Sequence, residues 1–348
     1  MKLIKRRISI LMMIMSMAVM QTGCGQSLNI PAVSETVSES GSESESVWET
    51  VQETESEIKE GIQSVTETDS KTESEAVNKY ESATVSYLGP EGTYTQEACG
   101  VFFDKKGTYI PYKTVAEAVE ALVKGESEYA VIPQENTIGG AVLDYVDIVI
   151  GQKEVSVVGE VELPINQNLL ALPGTEPGEI KKVYSHKQGI AQGKDWLKVN
   201  LPDAEIIEVS STAEGAKLVS EEGDTSNAAI ASAACAEVYG LEVLAESIQN
   251  NDSNKTRFYV LSMDAPSREK NDRMAFVASG KAEDLPGLMA DIEESGMKLA
   301  TIHDRPRKTE LGEYHYIIEC SDAGYDDYEK LTEKHPFKFR FLGGFSLK

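Results

Sequence analysis

The stretch TVAEAVEALVKGESEYAVIP, residues 114–133, carries the clearest indication of the fold class. It runs from a hydroxyl residue through Ala-Glu into apolar residues at helical spacing, and it ends in the short apolar run YAVIP. Apolar residues three and four apart favour a helix with one buried face, whereas a short apolar run favours a buried strand. A helix that leads into such a strand is typical of α/β proteins with largely parallel sheets.

The same alternation continues on both sides of this stretch. TVSYL, TQEACGVFF and TYIPY precede it, and a second series starts near Leu169. The segment STAEGAKLVSEEGDTSNAAIAS, residues 211–232, repeats the order of hydroxyl, Ala-Glu, apolar helix face and Ala-rich strand. The repeat predicts two similar lobes with a cleft between them, and ligands of such sheets bind beyond the carboxyl ends of the strands.

The lobes are expected within residues 84–263, with lobe 1 at about 84–162 and 243–263 and lobe 2 at about 163–242. A third unit, residues 272–348, follows the polar stretch 266–272, which we interpret as a linker. Its strand and helix patterns occur in the order βαββαβ, and this order predicts a ferredoxin-like arrangement.

The N-terminus has the pattern of an export signal. Four basic residues precede an apolar run from Ile8 to Met20, and Gly23 stands directly before Cys24. We interpret residues 1–23 as a signal peptide and Cys24 as a lipidated N-terminus, which would anchor the protein to a membrane outside the cytoplasm. Gln21 stands where this pattern usually has leucine, so cleavage without lipidation, and hence secretion, stays open.

The following segment, residues 24–83, is dominated by Ser, Glu, Thr and Val. Residues 31–82 contain 14 acidic side chains and three lysines. Such a composition cannot bury enough apolar surface to fold and predicts a disordered, self-repelling tether. The whole chain carries 58 acidic and 33 basic side chains, which argues against nucleic acid as a partner.

Polar groups follow the predicted strands of lobe 1 at two places. In YLGPEGTYTQEA, residues 87–98, Gly89 lets backbone approach a ligand, and Thr93 and Thr95 lie at a helix N-terminus, which attracts anions. The alternative is that Thr95 merely caps its helix. In VIPQENTIGGAV, residues 131–142, the strand ends at a proline and three polar residues follow it: Glu135, Asn136 and Thr137. These side chains either contact a ligand or form an ordinary Asx turn.

Lobe 2 contains a comparable stretch, VYSHKQGIAQG, residues 183–193. Ser185, His186 and Gln188 leave a strand, and Gln192 is expected in the first turns of the next helix. A single histidine at a strand end is more often a structural residue than an acid or base.

Arg257, in NKTRFYVL, is the one arginine between Thr84 and Met263. We interpret it either as a two-point clamp for a carboxylate or as half of a structural ion pair. No Walker loop, strict dinucleotide fingerprint, nucleophile elbow or Cys/His metal cluster occurs, so these familiar chemistries are excluded and no metal site is expected. The three cysteines beyond Cys24, in apolar surroundings, are expected to be buried structural thiols: Cys99, Cys235 and Cys320.

Four of the stretches quoted above, in this order, resemble the signatures of the prephenate dehydratase family: YLGPEGTYTQEA, VIPQENTIGGAV, VYSHKQGIAQG and NKTRFYVL. The C-terminal part resembles an ACT regulatory domain. The resemblance implies a two-lobed fold like that of periplasmic binding proteins, and decarboxylating dehydration of prephenate to phenylpyruvate without a cofactor. By motif position, Thr256 resembles the threonine that contacts the leaving hydroxyl, and Arg257 either binds the anion or fixes that threonine. The other family positions are Glu135 and Asn136 in lobe 1, and Ser185 and Gln192 in lobe 2.

The chain departs from the family pattern in the cleft and in the C-terminal part. Gln167 stands where histidine is common, and HDRP, residues 303–306, replaces Glu-Ser-Arg-Pro. The resemblance implies a homodimer or higher homo-oligomer and a phenylalanine site, which would involve Gly287, Leu288, Asp304, Arg305 and Pro306. Two other interpretations remain open: an exported lipoprotein that binds a small carboxylate or amino acid without turnover, and a purely regulatory amino acid sensor.

Overall fold

The computed structural model describes residues 80–348, which lie within one compact unit, Asp69–Lys348. The predicted signal peptide, Cys24 and nearly all of the acidic tether lie outside the described residues. Among residues 80–348, no helix is long and apolar enough to span a bilayer.

Lobe 1 is built mainly from residues 80–164. Its elements are β1 (Thr84–Leu88), α1 (Tyr94–Phe102), β2 (Thr108–Tyr112), α2 (Val115–Val123), β3 (Tyr129–Asn136), β4 (Gly140–Ala141), α3 (Leu143–Gly151) and β5 (Ser156–Pro164). The opening stretch forms α2 and β3 as predicted. The Thr114 side chain caps α2 by accepting a hydrogen bond from the Glu117 N–H, and the apolar face of the helix is buried.

Lobe 2 follows, and the chain then returns to lobe 1. The lobe 2 elements are β6 (Asn168–Ala171), a 3₁₀ turn (Pro177–Glu179), β7 (Lys182–Ser185), α4 (Lys187–Asn200), β8 (Glu205–Glu208), α5 (Thr212–Glu222), β9 (Asn227–Ala231), α6 (Ala234–Tyr239) and β10 (Glu242–Ala245). The returning strand is β11 (Lys255–Ser262). Because β10 pairs with β6, lobe 2 extends to Ala245, slightly beyond the predicted boundary.

The C-terminal unit has the predicted βαββαβ order. It consists of β12 (Arg273–Lys281), a 3₁₀ turn (Ala282–Asp284), α7 (Leu285–Glu294), β13 (Lys298–Pro306), β14 (Glu313–Ser321), α8 (Tyr325–Lys334) and β15 (Lys338–Leu347). Its strands lie in the order β13-β14-β12-β15, all antiparallel, as in a ferredoxin-like fold.

The two sheets have mixed strand directions, which confirms the predicted α/β class. Lobe 2 has a five-stranded sheet in the order β10-β6-β9-β7-β8. The larger, ten-stranded sheet runs β13-β14-β12-β15-β5-β11-β3-β1-β2, with β4 beside β3. Parallel pairs such as β1–β3 and β7–β9 bring the carboxyl ends of the strands to the side where the two lobes face each other.

The C-terminal unit is not set apart by its linker. β15 pairs with β5 through Ser346 and Leu347, so one sheet continues from lobe 1 into this unit. One hydrophobic core also spans both, since Tyr145 and Tyr259 of lobe 1 belong to the same buried cluster as Ile317 and Phe345. The stretch 266–272 connects the two parts in sequence, but the burial of this shared apolar surface is what holds them together.

Candidate active site

A cavity of about 300 Å³ lies between the two lobes. Both lobes supply polar side chains to this cavity, so its shape depends on how the two lobes are placed. Two larger cavities, each of about 810 Å³, share part of its lining but contain neither Asn136 nor Thr256. The polar residues that line the smaller cavity are Thr93, Thr95, Asn136, Gln167, His186, Gln188, Gln192, Ser210, Ser211, Thr212 and Thr256.

Asn136 and Thr256 are neighbours on paired strands, and their hydrogen bonds fix the direction of both side chains. Asn136 Oδ1 accepts from the backbone N–H groups of Ile138 (3.0 Å) and Gly139 (2.8 Å), so the other end of the amide must be the nitrogen. That nitrogen lies 2.9 Å from Thr256 Oγ1 and donates to it. Because an amide nitrogen accepts no hydrogen bond, the Thr256 hydroxyl proton stays available to a molecule in the cavity.

The lobe 2 wall of the cavity is formed by the first turns of α4. Gln192 is 8 % exposed, and its Oε1 accepts a hydrogen bond from Gln167 Nε2 at 2.9 Å. This contact leaves the Gln192 amide N–H groups free for a ligand. Gly189 brings the helix backbone close to the sheet, because a Cβ at this position would lie 2.6 Å from Ser185 Oγ.

The electrostatics of the cavity come from helix N-termini, since no lysine or arginine lines it. None of its lining residues is lysine, arginine, aspartate or glutamate. Instead, three helices begin at its wall, namely α1 beside Thr93, α4 beside His186 and α5 beside Ser211. The unpaired N–H groups and the dipole of each helix stabilise negative charge at that end, by about 0.3–1 kcal/mol per helix.

His186 lies at the α4 terminus as a neutral group. Burial lowers its pKa, and the neighbouring charge of Lys187 lowers the pKa further. Its Nδ1 also faces the Gln188 N–H at 3.4 Å as an acceptor, which requires the unprotonated ring. His186 therefore adds no positive charge near neutral pH.

The loop that carries Gly92 holds the lobes together. Ser232 Oγ (2.9 Å) and Cys235 Sγ (3.0 Å) of lobe 2 both donate to the Gly92 carbonyl, and Tyr239 OH donates to the Glu91 carbonyl (2.8 Å). Gly92 has φ +81°, and a Cβ there would lie 2.8 Å from Cys235 Sγ. The glycine thus permits both the backbone conformation and the close interlobe contact. The cysteines Cys99, Cys235 and Cys320 are buried and unpaired, as predicted.

Arg257 and Glu135 do not line the cavity, so the structure does not support direct substrate contact for either, and for Arg257 the alternatives of an ion pair and of fixing Thr256 stay open. Side chains alternate along a strand, so Thr256 faces the cleft and Arg257 faces the C-terminal unit. A bulge in β3 places Gln134 as an extra residue opposite β11, since Glu135 pairs with Arg257 and Pro133 pairs with Phe258. The bulge turns both Gln134 and Glu135 towards the C-terminal side while Pro133 and Asn136 face the cavity.

On that reverse face Arg257 is surrounded by carboxylates. Its Nε and Nη2 each lie 2.6 Å from a Glu160 oxygen, Nη2 also donates to Glu319, and Nη1 lies 3.5 Å from Glu135. Burial alone would lower the pKa of Arg257, but hydrogen bonds and charges from Glu160 and Glu319 raise it above its ordinary value. Arg257 is thus a permanent cation, and the structure supports the ion-pair interpretation.

Glu160 is one of the carboxyl groups in this crowded cluster. Burial raises its pKa to about 7, the Arg257 hydrogen bonds oppose that rise, and the charge of Glu319 adds to it. Two of the three carboxylates around Arg257 are fully buried, with Glu160 1 % and Glu319 0 % exposed. Burial and the neighbouring Glu319 charge therefore disfavour the charged form of Glu160, although Arg257 lies beside it.

Three other predicted contact residues also lie away from the cavity. Gly89 lines a neighbouring cavity and packs against Pro111. The Thr137 hydroxyl accepts from the Lys255 N–H (3.0 Å) and faces the Ser253 carbonyl (3.1 Å), so it holds the turn. Ser185 is fully buried and donates to the Ile230 carbonyl at 2.7 Å, behind the wall that Gly189 forms.

The residues predicted to bind phenylalanine are dispersed in the C-terminal unit. Leu288 is fully buried in the core of this unit. Arg305 forms a two-point ion pair with Asp147 of α3, at 2.5 and 2.6 Å, which ties it to lobe 1. Gly287, Asp304 and Pro306 are exposed.

The residues at the start of α5 also line the cavity, and they lie outside the four motifs. Ser210, Ser211 and Thr212 line the cavity at the end of β8, although no glycine or charged residue marks them in the sequence. The signal that could have found them is the repeat itself, because Ser211 stands at the hydroxyl position that begins STAEGAKLV.

The cavity can therefore hold a small molecule with more than one negative group and place a neutral hydroxyl donor against it. Among residues 80–348, no cluster of three or more His, Cys, Asp or Glu side chains is arranged to hold a metal ion. These features define a two-lobed α/β protein with an interlobe site for a small anion.

Comparisons with known proteins give the family. The prephenate dehydratase family model matches residues 85–266. The bifunctional chorismate mutase/prephenate dehydratase of Neisseria gonorrhoeae is 35 % identical, over 73 % of this chain and 72 % of that protein. The prephenate dehydratase of Bacillus subtilis is 33 % identical, over 70 % of this chain and 90 % of that protein.

A solved structure agrees with these sequence relatives. Prephenate dehydratase from Arthrobacter aurescens, in complex with L-Phe, matches with a TM-score of 0.67 and 30 % identity, over 76 % of this chain and 90 % of that one. The chain belongs to the prephenate dehydratase family.

Proposed function

We propose that this protein is a prephenate dehydratase, which converts prephenate to phenylpyruvate, carbon dioxide and water. The observation that carries the proposal is the Asn136–Thr256 pair, which presents a hydroxyl proton to an anion-binding cavity between the lobes. Family membership and the names of the relatives support the same reaction.

The reaction requires few groups from the protein. As the ring carboxylate leaves as carbon dioxide, its C–C bonding pair enters the ring, the C–O bond to the hydroxyl breaks, and the departing hydroxyl takes up one proton, ultimately from solvent, to leave as water. Aromatisation supplies the driving force, so the chain has to orient the dianion and stabilise the departing oxygen. The helix N-termini and the free Gln192 amide serve the first need, and the Thr256 hydroxyl serves the second by donating a hydrogen bond that strengthens as negative charge develops.

Prephenate added to a protein that comprises residues 69–348 should be consumed, with release of carbon dioxide and appearance of phenylpyruvate absorbance. The same assay with arogenate in place of prephenate shows which of the two substrates the site prefers. If isothermal titration shows prephenate binding but no product forms over hours, the protein is a binder and the dehydratase proposal fails.

Phenylalanine is proposed as a regulatory ligand, on the support of the family and of the L-Phe complex of the Arthrobacter relative. In this chain Arg305 is engaged by Asp147, so a ligand of that arginine would have to replace an existing ion pair.

We also propose that the C-terminal units pair to form a homodimer, because β13 is an unpaired edge of the large sheet within residues 80–348. Sedimentation velocity with and without phenylalanine tests the homodimer and the effect of the ligand on it. A monomer whose sedimentation coefficient is the same with and without phenylalanine contradicts both proposals.

We propose that the protein acts outside the cytoplasm, attached to the membrane by a lipid on Cys24. The support is the basic, apolar and small-residue pattern of residues 1–24 together with the acidic tether that follows. A palmitate analogue fed to cells should label the protein and fail to label the Cys24→Ser variant. Equal labelling of both would refute the anchor.

A further inference from the structure

We infer that Glu319, a residue of the C-terminal unit, is a positioning residue of the active site: it holds Arg257, and through Arg257 it fixes the strand that presents Thr256. The inference rests on the proposed dehydratase function and extends it, because it makes the C-terminal unit part of the catalytic apparatus. Glu319 lies on β14, outside the stretch 85–266 that matches the family model.

The contacts of Glu319 all lead to the two strands that form the lobe 1 side of the site. Its Oε2 accepts from Arg257 Nη2, and its Oε1 accepts from Tyr259 OH and from Gln134 Nε2. Arg257 and Tyr259 belong to β11, and Gln134 is the bulged residue of β3. A single buried carboxylate therefore joins β14 to both strands that carry Thr256 and Asn136.

The three side-chain hydrogen bonds of Glu319 go to residues of β3 and β11. Glu319 is fully buried, where an ionisable group is expensive to place unless it is paired. Arg257 already has a two-point hydrogen-bond partner in Glu160, and Glu319 adds a contact from a different element, β14. Its presence adds a geometric constraint at the cost of crowding a third carboxylate into the group.

The constraint acts on Thr256 through adjacency in the strand. Arg257 and Thr256 are consecutive residues, and the register of β11 against β3 changes directly after Arg257. Next to such a bulge, backbone hydrogen bonding alone defines the strand less well than it does in a regular ladder. Anchoring the Arg257 side chain on the reverse face compensates, and it keeps the Thr256 hydroxyl in contact with Asn136.

The Glu319→Gln variant tests this role because it preserves size while replacing the carboxylate. We expect kcat to fall by about 10- to 100-fold, since small displacements of a catalytic group have effects of this size, while KM changes less than twofold. The kcat-specific loss is expected because Thr256 acts on the leaving group as its bond breaks. Amide hydrogen exchange at residues 254–258 should become faster in the same variant.

Glu313→Gln is the matched control. Glu313 also lies on β14 and is also ion-paired, to Arg307 at 3.1 Å, but it contacts neither β3 nor β11. This variant should leave kcat and the exchange of residues 254–258 unchanged. If Glu319→Gln does not fold, Tyr259→Phe removes one donor to Glu319 without altering ring packing and should lower kcat about threefold at constant KM, with the same faster exchange.

The outcomes separate this inference from the proposed function. Turnover by the unmodified protein decides the function, whereas exchange at residues 254–258 reports on Glu319 whether or not prephenate reacts. Unchanged exchange in Glu319→Gln, or a kcat within twofold of the unmodified protein, would overturn the positioning role. A rise in KM at constant kcat would also overturn it, because it would place Glu319 in substrate binding instead.

Discussion

Thr256→Val is expected to lower kcat by about 10³-fold or more without unfolding the protein, within the range by which a positioned proton donor accelerates a reaction. Valine keeps the shape of threonine but has no hydroxyl. The Asn136 amide donates to Thr256 Oγ1 at 2.9 Å in the unmodified protein, and it also has Asn254 Oδ1 as an acceptor at 2.8 Å. The substitution therefore leaves the amide with a hydrogen-bond acceptor. The loss should therefore be confined to catalysis.

The measurement is steady-state turnover of prephenate with circular dichroism as the check on folding. Thr256→Ser keeps the hydroxyl and should retain activity within about tenfold of the unmodified protein. Thr108→Val, at an exposed position of the edge strand β2, is the matched control and should be neutral. If Thr256→Val keeps more than a tenth of the original kcat, the leaving hydroxyl is stabilised by another group.

Asn136→Asp should reduce kcat/KM by about 10³-fold or more, although it changes only one atom of the side chain. The backbone donors of Ile138 and Gly139 can still bind one oxygen, so the side chain keeps its orientation. The other oxygen then accepts a hydrogen bond from Thr256, which turns the hydroxyl proton away from the cavity. A new negative charge also opposes a dianionic substrate where no lysine or arginine lines the cavity.

This variant has a diagnostic pH dependence. Protonation of the introduced carboxylate at low pH removes the charge, so the deficit in kcat/KM should shrink as the pH falls towards about 5, for as long as the protein stays folded. Asn251→Asp is the control, because Asn251 is exposed and its side-chain oxygen accepts from the Ser253 N–H, a bond that aspartate keeps. A deficit below about tenfold at neutral pH would show that Asn136 does not orient Thr256.

Hydrophobic periodicity was sufficient for the architecture because it depends on short-range pattern. The amphipathic α2 and the apolar β3 were predicted from residues 114–133 alone, and the repeated pattern predicted two lobes. The helix Leu143–Gly151 was not predicted, although it supplies Tyr145 to the core shared with the C-terminal unit. The sequence pattern also gave no sign that this unit continues the sheet of lobe 1, since β15–β5 pairing joins residues almost 190 positions apart.

The same distinction holds within the site. Thr93, Thr95, Asn136, Gln192 and Thr256 come from four motifs, and the structure brings them to one cavity, while their catalytic and binding roles stay predictions. Arg257 and Glu135 were adjacent to these residues in sequence, and adjacency suggested a shared site. Strand alternation and the β3 bulge send them to the opposite face, where Glu160 and Glu319 compete for the guanidinium.

The order of amino acids alone was enough to predict most of the helices and strands, the places where polar groups leave the strands, and the reaction that the motifs resemble. Tertiary packing was needed to establish which face of each strand meets the cleft and that a carboxylate of β14 reaches the strand of Thr256. The cause of this division is range: periodicity and capping are set within a few residues, whereas the partner of a buried charge is set by packing between distant segments.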